Sequence, residues 1–150
     1  MEATFTDYLD EVRAKRAELR DSVAAVEEAL AAPVARGGAW RERVRAALAE
    51  LQHDLRDHVE LTEAEDGLHD RIREAAPRLS TPIERLAREH HELAEKVSGY
   101  LAVLEHGGTT ADLPAFREEV TALCGRLVRH RQRGSDLVYE AYNVDIGGSG

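Results

Sequence analysis

The sequence has very little cysteine: Cys124 is the only one in 150 residues. A single cysteine excludes an internal disulfide framework and fits a reducing compartment. The sequence also lacks an apolar run long enough to cross a bilayer, and its acidic N-terminal stretch lacks the apolar segment of a secretory signal. We therefore expect a cytoplasmic protein with no membrane partner.

Positive charge is also scarce. Lysine and arginine total 20 residues against 29 aspartates and glutamates, which gives a formal net charge of −9. Proteins that bind nucleic acid need a basic patch that displaces counterions from the phosphates, so we expect no nucleic-acid partner. Hydrophobic residues make up 43% and charged residues 33%, as in a globular domain, and the length suffices for one sizeable core.

Proline and glycine are confined to a few places, and the stretches between them carry apolar residues at helical spacing. This pattern predicts four amphipathic helices joined by short connections, without strands. The first is expected at about Thr6–Ala32. The second is expected to begin near Trp40, to weaken at Glu65–Gly67 and to resume up to Pro77. The third is expected from Thr81 to Gly107, and the fourth from near Asp112 to about Tyr142. We therefore predict an all-α, antiparallel up-and-down four-helix bundle over residues 1–142, with a C-terminal tail over 143–150.

The third helix has the best-marked start. In the segment STPIE, Thr81 is the expected N-cap, Pro82 the first helical residue and Glu84 the partner in a capping box. The segment Ala32–Ala39 is expected to be the linker between the first two helices, and Cys124 is expected to be a small buried hydrophobic residue.

Each helix carries one ionisable residue inside its apolar stripe: Arg16, His58, His90 and His130, in chain order. Burying a polar group without a partner costs about 2–7 kcal/mol, so four such residues are expected to meet. Helix bundles build their metal and cofactor sites from side chains on facing helices. The sequence therefore predicts one shared polar pocket in the core, although no nucleophile with an adjacent base identifies a catalytic residue.

The remaining histidines fit the predicted pocket less well. His53 and His91 lie beside the stripes, and His106 lies next to the predicted glycine cap of the third helix. His69 follows His58 on the same helical face, but the break at Gly67 leaves its direction open.

Four segments, in this order and spacing, resemble the motifs of the hemerythrin-like (HHE cation-binding) family over about Val12–Gly148. They are VRAKRAEL (Val12–Leu19), HVELTEAEDGL (His58–Leu68), EHHEL (Glu89–Leu93) and HRQRGSDLVYEAY (His130–Tyr142). The resemblance implies an up-and-down four-helix bundle that holds two non-heme irons between histidines and carboxylates. It also implies that a bound metal senses or reacts with dioxygen, peroxide or nitric oxide.

The sequence departs from the family pattern at the metal-binding positions. Arg16 replaces the first-helix histidine, and Thr62, Ala94 and Gly134 stand one turn after the three histidines, where carboxylates are absent. Without bridging carboxylates, two cations would repel each other, and Arg16 adds a fixed positive charge. We therefore do not expect an intact di-iron centre.

One interpretation is a site for a single iron or zinc ion. His58, His90 and His130 would be its ligands, and imidazole suits both metals. Water or the carboxylate of Glu63 would complete the set, although Glu63 lies about 140° around an ideal helix from His58 and needs a local distortion. Glu65 lies on the right face but further along the axis.

A second interpretation is a metal-free pocket. Arg16 would replace the charge of the metal and pair with Glu63 or Glu65. Thr62 and Gly134 would leave space beside Arg16 in which a small anion or another polar small molecule binds. A third interpretation is a protein partner bound through Tyr139–Gly148, because tyrosine is enriched at interfaces. Alternatively, this segment covers the open end of the bundle.

Overall fold

The computed structural model describes residues 5–33, 37–105, 113–144 and 146. The helices are α1 (Phe5–Ala31), α2 (Gly37–Glu63), α3 (Leu68–Ala75), α4 (Ser80–Glu105) and α5 (Leu113–Tyr142), with a 3₁₀ turn at Pro77–Leu79. No strand occurs in these ranges, which confirms the all-α class. Among the described residues, no helix is both long and apolar enough to span a membrane.

The four long helices close into a ring in which α1 packs against α2 and α5, and α4 also packs against α2 and α5. Neighbouring helices run antiparallel. Between α1 and α2, Tyr8 contacts Leu61 and Ser22 contacts Asp54, so the residue numbers rise on one helix as they fall on the other. The short α3 is the predicted resumption of the second helix after Glu65–Gly67, and it forms a separate helix. It packs near the end of the bundle where α2 finishes and α4 begins.

The apolar core consists of two clusters of buried side chains. One cluster includes Leu19, Leu55, Leu93 and Leu127, and the other includes Val12, Leu86 and Leu137. In the sequence of each long helix, the predicted ionisable residue lies between a residue that packs in the first cluster and a residue that packs in the second. These ionisable residues therefore form a polar layer that divides the apolar core: Arg16, His58, His90 and His130. Cys124 is buried in the first cluster, as expected.

The predicted capping box of the third long helix is wrong. Helix α4 begins at Ser80, so Thr81 lies inside the helix. The physical reason is the 3₁₀ turn at Pro77–Leu79, which leads directly into the helix. The amide of Leu79 donates to the carbonyl of Ala76, and the amide of Ser80 donates to the carbonyl of Pro77, so the preceding turn satisfies amides that a cap would otherwise bind.

The weak point predicted at Glu65–Gly67 is a complete turn between α2 and α3. Asp66 has a φ of 60°, in the left-handed region. A Cβ atom on Gly67 would lie 2.7 Å from the carbonyl oxygen of Ala64 and 2.8 Å from that of Leu61. The close approach of the backbone therefore requires glycine at position 67.

Part of the C-terminal tail packs onto the bundle. Ile146 is buried in the second apolar cluster, and the hydroxyl of Tyr142 donates to the carbonyl of Arg71 at 2.7 Å. Tyr139 is exposed. The described part of this segment thus covers one end of the bundle, and a protein partner bound through Tyr139–Gly148 stays a prediction.

Candidate metal centre

Three histidines from three helices meet in the polar layer. His58 on α2, His90 on α4 and His130 on α5 are at most 5% exposed. Their ring centroids lie 5.2 Å (His58–His90), 5.8 Å (His58–His130) and 4.6 Å (His90–His130) apart. One nitrogen from each ring lies within 4.8 Å of the other two. The structure therefore brings together the three histidines that the sequence placed in one pocket.

Two carboxylates contact the Nδ1 atoms of two of these three rings. The Nδ1 atom of His90 lies 2.5 Å from Glu63, and the Nδ1 atom of His130 lies 2.6 Å from Glu89. Glu89 is held from its other side by Arg133, whose Nη2 atom donates to both carboxylate oxygens at 2.6 and 2.8 Å. Each carboxylate therefore fixes one imidazole in orientation.

These contacts determine which nitrogen of each ring is available. A neutral imidazole that donates its Nδ1 proton to a carboxylate presents a lone pair on Nε2. The Nε2 atom of His90 is buried and has no hydrogen-bond partner among the described residues. A buried lone pair without a donor is costly, and a cation would satisfy it. Carboxylate–histidine pairs of this kind orient the ligands of metal sites.

Burial keeps the histidines neutral, which is the form that binds metals. It lowers the pKa of His90 to about 4, with a smaller contribution from His130. It also lowers the pKa of His130, although Glu89 opposes the shift, and it holds the pKa of His58 well below its ordinary value. Burial raises the pKa of Glu89, but hydrogen bonds from Arg133 and His130 outweigh it and leave a net lowering. The pocket thus pairs the neutral imidazole of His130 with the charged carboxylate of Glu89.

Arg16 lies in the same layer and is buried. Its Nη2 atom donates to the carbonyl of Arg131 at 2.7 Å, and its charge contributes to the lowered pKa of His58. A Cβ atom on Gly134 would lie 3.6 Å from its Nη1 atom. The guanidinium therefore lies beside the place from which a longer side chain at position 134 would project.

The other residues named from the sequence have different surroundings. The hydroxyl of Thr62 donates to the carbonyls of His58 and Val59 in its own helix, at 2.9 and 3.2 Å. Glu65 is exposed on the turn. Glu63 is the last residue of α2, and its contact is with the Nδ1 atom of His90. A direct bond from Glu63 to a metal, and a pair between Arg16 and either glutamate, remain predictions.

Two further residues belong to this layer: Glu89, which sequence reasoning missed, and His69, whose direction it left open. His69 is 5% exposed, and its ring lies parallel to that of His90, with the centroids 5.7 Å apart. Its direction depends on the turn before it, which no periodicity describes. Glu89 comes directly before His90 in the segment EHHEL, and this position was the one available signal for it.

The three-histidine group fits a single transition-metal ion. With metal–nitrogen distances of about 2.1 Å, two imidazoles on one tetrahedral ion have ring centroids about 5.2 Å apart. The three observed separations, from 4.6 to 5.8 Å, lie on either side of that value. Imidazole nitrogen suits iron, zinc and copper.

Comparison with known proteins gives one match. The family model described as the hemerythrin HHE cation binding domain matches residues 7–141. No curated protein and no solved structure matches the chain. The family match covers all four long helices, apart from the first two residues and the last residue of the bundle.

Proposed function

Because the chain belongs to the hemerythrin HHE cation-binding family, we propose that its polar layer binds one iron or zinc ion. The observation that carries this proposal is the buried, unpartnered Nε2 atom of His90, whose Nδ1 atom is held by Glu63. A ring whose orientation is fixed in this way is preorganised to bind a cation.

The proposed ligands are His58, His90 and His130. Glu63 and Glu89 act through the histidines: each accepts a hydrogen bond from an Nδ1–H group, raises the basicity of that ring and partly balances the charge of the ion. When bound, the ion supplies Lewis acidity and, in the case of iron, a redox centre for dioxygen, peroxide or nitric oxide. The buried side chains around it exclude bulk water.

The layer favours one ion over two. A second cation would lie in a pocket that already contains the guanidinium of Arg16, and like charges repel strongly away from water. The hydroxyl of Thr62 is directed to its own helix, and Gly134 has no side chain. Neither position supplies a bridging carboxylate to offset the repulsion.

A second candidate function is a metal-free pocket for a small anion. The observation that favours it is the buried guanidinium of Arg16, whose charge acts on His58. A guanidinium presents several donors in a geometry that suits carboxylates and other oxyanions. In this case the guanidinium would donate the hydrogen bonds to the anion, because the neutral rings of His90 and His130 already donate their Nδ1–H groups to Glu63 and Glu89.

Metal analysis separates the two candidates. Protein purified without an affinity-tag metal is freed of ions by chelation and titrated with Zn²⁺ and, under anaerobic conditions, with Fe²⁺. We expect one equivalent in the core site and its loss in His90→Ala, whereas His91→Ala, an exposed neighbour on α4, retains it. No tight binding of either metal, together with calorimetric binding of phosphate, nitrite or acetate to the metal-free protein, would establish the anion pocket instead.

A further inference from the structure

With an ion bound, the polar layer contains more positive charge than its carboxylates balance. Arg16 is buried there, carries a permanent charge and acts electrostatically on His58. Two carboxylates contact the histidine rings, those of Glu63 and Glu89, and Glu89 also accepts hydrogen bonds from Arg133. A divalent ion in the same layer therefore leaves an excess of positive charge, which is unfavourable away from water. An anion bound in the layer would offset this excess.

The room for such an anion lies beside Gly134 on α5. Apart from its own helix, a Cβ atom built on Gly134 would meet one atom of the described residues within 4 Å, the Nη1 atom of Arg16 at 3.6 Å. Gly134 is also partly exposed, so a small molecule can reach this position from the solvent. The structure thus leaves accessible space next to a buried cation.

The register of α5 places this space beside the histidine site. His130 and Gly134 are four residues apart, so they lie on one face of the helix, about 6 Å apart along its axis. The guanidinium of Arg16 is held at the same level, because its Nη2 atom donates to the carbonyl of Arg131 at 2.7 Å. A carboxylate with one oxygen about 2.1 Å from an ion and the other about 2.8 Å from a guanidinium nitrogen spans about 5–7 Å. This length is similar to one turn of the helix.

The chemistry of the two cations selects a carboxylate. A guanidinium presents paired N–H donors in one plane, and these donors match the two oxygens of a carboxylate. Carboxylate oxygen also binds iron and zinc in proteins. A neutral molecule of the same shape would leave the excess positive charge of the layer unchanged, so it would bind more weakly.

We infer that the ion in the core site binds together with a small carboxylate, an inference that rests on the proposed function. One carboxylate oxygen completes the ligand set of the ion, and the other accepts hydrogen bonds from Arg16 in the space beside Gly134. Arg16 is then a specificity-determining residue, because its charge disfavours a second cation and retains a small anion. This site differs from a metal-free anion pocket, because here the carboxylate requires the ion.

Formate and acetate are the probes, with cobalt(II) as the ion, because its visible absorption responds to a new ligand. The parent protein carries His53→Ala, since His53, Asp54 and Asp57 also bring potential ligand atoms within 4.8 Å of one another elsewhere on α2. We expect formate to shift the absorption of the cobalt-loaded parent, with one formate bound per chain. It should bind at least about 10-fold more weakly to the metal-free parent, because one of its two bonds is lost. Acetamide, the neutral analogue of acetate, should leave the absorption unchanged.

Two variants assign the carboxylate to its position. In Arg16→Gln, we expect formate affinity to fall about 10–100-fold, as for the loss of a hydrogen bond to a charged group, while cobalt affinity does not fall. Gly134→Glu supplies a carboxylate from the protein itself, so its absorption without formate should resemble that of the formate-bound parent, and added formate should change nothing. The matched control is Gly125→Glu on the same helix, near the side chain of Arg129, which should respond to formate like the parent.

The outcomes separate this inference from the proposed function. Equal formate binding with and without cobalt, an equal response to acetamide and acetate, or an unchanged formate affinity in Arg16→Gln would overturn the inference while the single-ion site stands. A Gly134→Glu variant that responds to formate as Gly125→Glu does would also overturn it, and this comparison does not depend on the folding of Arg16→Gln. A parent protein that binds no cobalt would overturn the proposed function itself.

Discussion

Single residues in the polar layer act in pairs, and the pairs explain why ionisable groups are tolerated in the core. His90 is paired with Glu63, and His130 with Glu89. The sequence indicated the histidines because they interrupt apolar stripes. It did not indicate Glu89, because a carboxylate beside a stripe looks like any residue of a solvated helix face.

The first prediction concerns Glu89. The variant Glu89→Gln keeps the size of the side chain but removes the charge that orients His130, so we expect metal affinity to fall about 10–100-fold. Isothermal titration with Zn²⁺ measures this change. The matched control is Glu92→Gln, which lies one turn along α4 and contacts Arg126 at the exposed surface. Equal losses in both variants, or none in either, would refute the role given to Glu89.

The second prediction concerns Gly134. A Cβ atom there would be 3.6 Å from the guanidinium of Arg16, an ordinary contact, and glycine inside a helix costs about 0.5–1 kcal/mol relative to alanine. We therefore expect Gly134→Ala to raise the free energy of unfolding by about this amount in urea. Gly99→Ala on α4, with no atom within 4 Å, serves as the control. A destabilised Gly134→Ala variant would place the guanidinium of Arg16 closer to α5 than the structure has it.

At the scale of elements, the four long helices follow the sequence pattern closely. Helix α1 begins and ends within one residue of the prediction, and α5 ends at Tyr142 as predicted. These boundaries could be predicted from the sequence because apolar spacing and clustered glycine and proline are local signals. The start of α4 could not be predicted in this way, because the preceding 3₁₀ turn leads directly into the helix and makes Ser80 its first residue, so that neither Ser80 nor Thr81 is the N-cap.

The turn between α2 and α3 could be predicted only in part, because its geometry also depends on neighbouring structure. Glycine at position 67 marked a break, but the sharpness of the turn depends on carbonyls from the end of α2. The direction of His69 follows from that geometry. Sequence periodicity therefore predicted three histidines of the pocket and left the fourth undecided.

The third prediction tests this turn. In Gly67→Ala, the new Cβ atom would lie 2.7 and 2.8 Å from two backbone carbonyl oxygens, which cannot move independently of α2. We expect a loss of about 1–3 kcal/mol in the free energy of unfolding, measured in urea. Gly38→Ala, in the first turn of α2 with no atom within 4 Å, should not destabilise the protein. Similar values for the two variants would contradict the close approach at Gly67.

At the scale of the whole molecule, the polar layer divides two apolar clusters, and the family match covers the bundle that contains it. The all-α bundle was predictable because four stripes of similar length leave few other ways to bury apolar surface. The charge state of the polar layer could not be predicted from the sequence, because it depends on how deeply the histidine rings are buried.

The fourth prediction is a pH dependence of the metal-free protein. Burial lowers the pKa of His69 and of His90 from about 6.5 to about 4, so between these values the unfolded chain binds more protons than the folded one. The contribution of these neutral histidines to the free energy of unfolding is therefore fully present above about pH 6.5. It falls as the pH drops toward 4, by about 1.4 kcal/mol per pH unit for each such histidine. Urea unfolding at pH 7 and pH 5 measures it.

The variant His90→Leu provides the comparison for this pH dependence. It removes one titrating group from the layer while keeping an apolar side chain of similar volume. We expect its stability to fall less steeply between pH 6.5 and 4 than that of the unchanged protein. A stability that is the same at pH 7 and pH 5 in the unchanged protein would contradict the neutral, buried state of the histidines.

The most direct measurement is a crystal structure of the metal-loaded protein, with anomalous diffraction recorded on both sides of the absorption edge of the metal. The account predicts one anomalous peak in the core, within bonding distance of His58, His90 and His130. Two core peaks a few ångströms apart, or a metal-loaded crystal whose only peak lies elsewhere, would contradict it.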